Sequence, residues 1–252
     1  MTRRTALPMV FTIAAVLTSI SSPAQAEDEN QGQSASRDIP VITFEEDAPG
    51  EAPKAVVPVV GNWRIGKDSD NQVLVVDGSE WSRGQAAAGI ADRARALYGE
   101  RYAEFLDNVK AFAYFPYAVA TTCEDFREGE IAFRFKTIAG KIDQGAGILF
   151  NLKRNGDYLA LRANPLENNL VLWKFERGVR SSVEWVKDTP TSSQEWHTLK
   201  LKVTGPKVEG YLDDEHLLTH TLKANVSGRV GIWTKADSVV YFDDYTVRPA
   251  AK

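Results

Sequence analysis

The chain is expected to be all-β, a two-sheet antiparallel sandwich with one helical insertion at about residues 85–110. Three observations lead there. Short runs rich in β-branched and aromatic residues recur at regular spacing from Gly129 to Val247. Turn signals such as Asn155-Gly156 and Arg177-Gly178 separate them. Only Gln85 to Lys110 changes to a helical period, with Ile90, Ala94, Leu97, Tyr98, Phe105, Leu106 and Val109 on one stripe.

The elements follow in order. Residues 1–26 read as a signal peptide: Arg3 and Arg4 start it, Leu7 to Ile20 is apolar, and Ala24-Gln25-Ala26 is a small-residue cleavage site. A periplasmic or secreted product cut after Ala26 is the expectation, with no membrane span, since no second apolar run reaches the length one needs. Residues 27–38 are polar, with almost nothing to bury, and read as a disordered tether. The domain is placed at 39–249. Pro40 to Phe44 is expected to be its first strand, followed by the acidic Glu45-Glu46-Asp47 and a Pro/Gly-rich arm reaching Pro58.

Asn62 to Ile65 and Gln72 to Val76 then form a hairpin around a polar turn. The helical insertion follows, packed on a sheet or closing one end; in a sharper reading its stripe meets a protein partner. After Pro116 the strands return. Gly129 to Thr137 alternates cleanly, and three hairpins are expected, Gly145 to Ala163, Leu170 to Val186 and Trp196 to Leu212, with a short strand from His216 to Leu222. Arg229 to Thr234 and Val239 to Val247, interrupted by Lys235-Ala236-Asp237-Ser238, read as a terminal β-hairpin.

Composition narrows the partners. The formal net charge is −4, and the basic residues are scattered, so neither nucleic acid nor an anionic membrane is expected. A neutral or polyhydroxylated ligand suits this balance better. Cys123 is the only cysteine and pairs with nothing intrachain; its setting suggests a small buried hydrophobe.

The series Gly145 to Phe150, Asp157 to Asn169, Glu195 to Leu199 and Gly228 to Tyr245 resembles exported bacterial proteins of the concanavalin A-like lectin/glucanase superfamily, nearest its laminin-G-like and 3-keto-disaccharide-hydrolase-type members. The resemblance covers roughly Val41 to Val247. It implies a jelly roll whose concave face or edge loops hold carbohydrate. In the glucanase branch of that superfamily a Glu-x-Asp-x-x-Glu strand carries catalysis; here the acidic stretch Glu124 to Glu130 lacks that spacing and stands at a strand entry.

Alternation along Asp157 to Asn164 puts Leu159, Leu161 and Ala163 on a core face, and Tyr158, Arg162 and Asn164 on the other. An aromatic ring, a guanidinium and an amide make the mix a saccharide groove needs, though Arg162 paired with Glu167 across an outer sheet reads equally well. Trp233, with Lys235 and Asp237 on the adjoining turn, extends that candidate groove. Trp63, Trp173, Trp185 and Trp196 read as packing.

Glu45 and Asp47, with Asp243 and Asp244, form a candidate structural calcium site if first and last strands meet, and no other cofactor is required. Three function classes stay open. The leading one is a lectin-like carbohydrate-binding protein with no identifiable catalytic pair. The second is a glycoside hydrolase or lyase on a modified sugar, with Glu167, Asp237 and Glu195 as the acids to test. The third is a structural or protein-interaction module.

Overall fold

Among the described residues, fourteen strands, numbered in chain order, pair antiparallel into two sheets of seven. The computed structural model describes residues 40–80, 97, 115–177 and 179–251. The expected signal peptide (residues 1–26), the expected tether (27–38) and, except for Leu97, the expected helical insertion at 85–110 lie outside the described residues.

One sheet runs in the order β1 (Val56–Val60), β4 (Tyr117–Ala120), β13 (Arg229–Trp233), β6 (Ala146–Leu152), β7 (Tyr158–Asn164), β8 (Asn169–Glu176) and β9 (Val179–Lys187). The other runs β12 (Glu215–Thr221), β11 (Lys207–Leu212), β10 (His197–Thr204), β5 (Gly129–Ala139), β14 (Val239–Pro249), β3 (Asn71–Asp77) and β2 (Trp63–Asp68). Between the sheets lies a core drawn from alternate positions of each strand. Ile131, Phe133 and Phe135 of β5 meet Leu159, Leu161 and Ala163 of β7, with Leu199 and Leu201 of β10 and Phe242 of β14. Each large side chain sealed there contributes about 1.5–3 kcal/mol, which is how alternation in the sequence becomes a sandwich. The architecture is a jelly roll.

Three expectations are corrected. The terminal hairpin does not exist: β13 is a central strand of one sheet, between β4 and β6, whereas β14 is a central strand of the other, between β5 and β3. Thr234 to Ser238 is therefore a crossover between sheets. It is fastened to both sides, by Thr234 N–H donating to Pro116 O at 2.8 Å and Gly78 N–H donating to Ser238 O at 3.0 Å. A strand-turn-strand pattern is written the same way for a hairpin as for an arch between sheets.

The expected first strand at Pro40 to Phe44 is reduced to one bridge, Ile42 with Tyr245, because Phe44 leaves the extended region at a φ of 62°. Conversely, the Pro/Gly-rich arm contains β1. Pro58 is tolerated in it because β1 is an edge strand, so an N–H missing from one side costs no ladder bond.

Candidate functional site

The face of β7 turned away from the inter-sheet core carries the residues singled out for ligand contact, and the sheet register decides their neighbours. Gly147, Arg162 and Val171 lie side by side in one row, which continues through Trp233 on one flank and Trp185 on the other. Asn164, Asn169 and Lys187 form the adjacent row.

Toward the other end the face is aromatic. Tyr158 stacks on Phe175 with ring centroids 4.3 Å apart, and the Trp233 indole N–H donates to the Tyr158 hydroxyl at 3.1 Å. Phe115, arriving at the head of β4, stacks on Trp233 at 5.6 Å and meets Phe175 edge-on at 4.9 Å. Leu97 packs against the same cluster. Gly147 makes room for the indole, since a Cβ there would come within 2.9 Å of the Trp233 ring. Burial pushes the Tyr158 hydroxyl's pKa far above its ordinary value. It remains a neutral donor and acceptor.

The polar end is a buried ion network. Asp143, on the link between β5 and β6, is fully buried and contacts the Lys235 ammonium from the crossover; its other oxygen accepts from Asn164 Nδ2 at 3.1 Å and lies 3.8 Å from Arg162. Arg162, 1 % exposed, donates to Asn169 Oδ1 at 2.7 Å and to Glu167 Oε2 at 2.9 Å. Asn169 donates to the same Glu167 oxygen at 3.1 Å. Two acids thus balance two cations.

Their environments differ. Burial pushes the Asp143 carboxyl up, against the pull of Arg162 and Lys235. Glu167, whose side chain is 39 % exposed, also feels burial, but Arg162 and Asn169 outweigh it and hold that carboxyl below the usual range. Asp237 spends its carboxylate on the backbone, accepting from the N–H groups of Lys141 at 2.7 Å, Ile142 at 3.1 Å and Asp143 at 3.0 Å. Partial burial raises its pKa, and these three donors lower it by more. Asp237 therefore fixes the loop that presents Asp143.

The structure brings Arg162, Asn164, Lys235 and Glu167 together around Asp143, which sequence reasoning did not single out. Tyr158, Arg162, Asn164, Trp233 and Lys235 are all buried, so they form the floor and foundation of the face rather than an open groove. Glu195 is exposed in the link between β9 and β10. The four carboxylates of the expected calcium site have separate partners: Glu45 accepts from Gln72 N–H at 2.9 Å, Asp47 lies 3.4 Å from Lys54, Asp243 accepts from Asn71 at 2.9 Å, and Asp244 pairs with Arg134 at 3.2 Å. Among the described residues no three His, Cys, Asp or Glu side chains are grouped to hold a metal ion.

The open part of the face is on β9. Val183 is the extra residue of a bulge opposite Leu172 and Trp173, and it changes the parity of the strand. Arg180 and Ser182 before it, and Trp185 and Lys187 after it, consequently share one face, all exposed. Trp185 is 42 % exposed and braced edge-on by Trp173 at 5.4 Å. The Arg180 guanidinium lies 4.4 Å over Trp173 and 5.4 Å over Phe115. A bulge has no signature in strict alternation, and for that reason this strip was not legible as a site.

No family model matches the chain, and no curated protein matches it. Among solved structures, the carbohydrate-binding module CBM66 from Bacillus subtilis superposes with a TM-score of 0.53 at 15 % identity, over 76 % of this chain and 94 % of that one. The alginate lyase AlgAT5 of polysaccharide lyase family 7 gives 0.48 at 12 % identity, over 75 % and 82 %. The galectin LEC-6 from Caenorhabditis elegans gives 0.38 at 13 % identity, over 54 % and 98 %. The likeness to the first of these agrees with the two-sheet jelly-roll fold. Among the described residues no helix is long and apolar enough to cross a membrane.

Proposed function

We propose that the protein binds carbohydrate on the exposed edge of this face, along β8 and β9. One observation carries the reading: the exposed Trp185 indole, braced by Trp173 and set by the bulge into the same face as Ser182, Arg180 and Lys187. An exposed indole offers the apolar side of a sugar ring a stacking surface, while flanking donors and the exposed Glu167 carboxylate address its hydroxyls. The buried network beside it holds the Glu167 carboxylate through Arg162 and Asn169. Tyr158, Arg162, Asn164, Trp233 and Lys235 form the buried inner part of the same face, and Asp237 fixes its loop. The fold likeness to a carbohydrate-binding module supports the same reading.

A second reading, a glycoside hydrolase or lyase, draws on one specific feature: Asp143 and Glu167 share Arg162, and their environments push the two carboxyls in opposite directions, as acid and base require. Asp143 is fully buried, however, and does not reach a substrate on the open strip. We therefore adopt binding without turnover.

A glycan array, calorimetry on its hits and a reducing-sugar assay decide the matter. Binding without release of reducing ends is expected, and Trp185→Ala should abolish it. Binding unchanged by Trp185→Ala would reject the site, and turnover lost in Glu167→Gln would favour the enzyme. Export is part of the same proposal, with a mature N-terminus after Ala26; sequencing the N-terminus of the protein from the periplasmic or secreted fraction tests it.

A further inference from the structure

We infer that the strip along β9 selects acidic saccharides, those carrying carboxylate or sulfate groups along the chain. This rests on the carbohydrate reading above and adds the ligand's charge. Arg180 and Lys187 stand at opposite ends of the strip, with Ser182 and Trp185 between them on the same face. At a strand rise of about 3.3 Å per residue they lie roughly 20 Å apart, a distance suited to an extended chain and not to a single small anion.

Neither cation has a salt bridge among the described residues, whereas Lys174, Lys200, Lys207, Arg134 and Lys136 are each tied to a carboxylate. Arg180 is also held rigid, its guanidinium over Trp173 and Phe115, so little side-chain freedom is lost when an anion meets its outer edge. The acids nearby do not cancel the pair. Glu184 lies on the opposite side of β9, where it meets His220 of β12 at 3.4 Å. Glu176 is bound to Lys174 at 2.9 Å, and Glu167 is neutralised by Arg162 at 2.9 Å. Asp188 follows Lys187 outside the strand, at a φ of 57°.

Beside the strip, on β7 and its neighbouring loops, the network of Asp143, Glu167, Arg162 and Lys235 is charge-balanced, so the strip's own two positive charges are what a ligand feels at close range. On a protein of formal net charge −4 such a local patch favours an anionic chain at this edge.

The test is calorimetry of the whole protein with an oligogalacturonate and with the same oligomer after carboxyl reduction, at low and high salt; a sulfated neutral oligomer distinguishes sulfate from carboxylate recognition. The expected result is a preference of about tenfold or more for an acidic oligomer, weakening with salt and collapsing toward parity in the double variant Arg180→Gln, Lys187→Gln. Both residues are exposed, and thermal melts of the variant check its fold. Equal affinity for acidic and neutral oligomers would overturn the inference and leave the carbohydrate reading standing. A preference that survives the double variant would overturn the assignment to β9. Binding of no oligomer at all would overturn both readings.

Discussion

Asp143 is the residue on which the polar end depends. Buried with Lys235 and Arg162 against it, it cannot be neutralised without leaving cations uncompensated in a region of low dielectric. Asp143→Asn is expected to cost about 3–5 kcal/mol, measured by urea denaturation at neutral pH. Removing Lys235 as well, as Asp143→Asn with Lys235→Met, should recover part of that loss, because the unpaired charge goes too. At this scale the sequence was half legible. The parity of β7 was readable from Leu159, Leu161 and Ala163, but an alternating face reads the same whether it opens to solvent or lies under Phe115 and Leu97. Burial of Tyr158 and Arg162 is a tertiary fact that their own strand does not encode. The pairing of Arg162 with Glu167 was visible as one of two alternatives, and the structure has it at 2.9 Å.

Elements were easier to find than their connections. The hairpins from β6 to β7 and β8 to β9 are written in turn residues and alternation, and the strands stand where those signals put them. The crossover at Thr234 to Ser238 was not, because its turn residues suit a hairpin equally. Its own determinant is Asp237, whose carboxylate takes three N–H groups from the loop between β5 and β6 and so locks two sheet-to-sheet links to each other.

Asp237→Asn should destabilise by about 1–3 kcal/mol near neutrality, the usual worth of hydrogen bonds to a charged group. The folded pKa lies below the ordinary value of 3.8, so the wild-type advantage is complete above that value and shrinks as pH falls through the lower folded one. Denaturation curves of the two proteins across the acid range should therefore converge at low pH. A constant gap would mean that charge has no part in the cap. The bulge at Val183 makes the same point in reverse: one inserted residue carries Trp185 onto the same face as Arg180 and Ser182, and nothing in the local pattern announces it.

Across the whole molecule, the two-sheet sandwich was legible because every core strand repeats the same apolar period, whereas sheet order was not, since period says nothing about which strand pairs with which. The two strands latest in the chain are central to both sheets. β13 joins the pair β1 and β4 to β6, and β14 joins β5 to the pair β3 and β2. A chain ending before Arg229 is thus expected to lack a cooperative urea transition and to bind hydrophobic dyes, whereas loss of an edge strand such as β12 should merely lower stability.

The same placement sets a clock on assembly. While the chain is being made, both sheets remain divided into halves that lack their central strands. The many pairings that close them span long stretches of sequence and form slowly. Folding must wait for residues 229–249, so the molecule stays loose for most of its synthesis and becomes rigid only once its last central strands arrive.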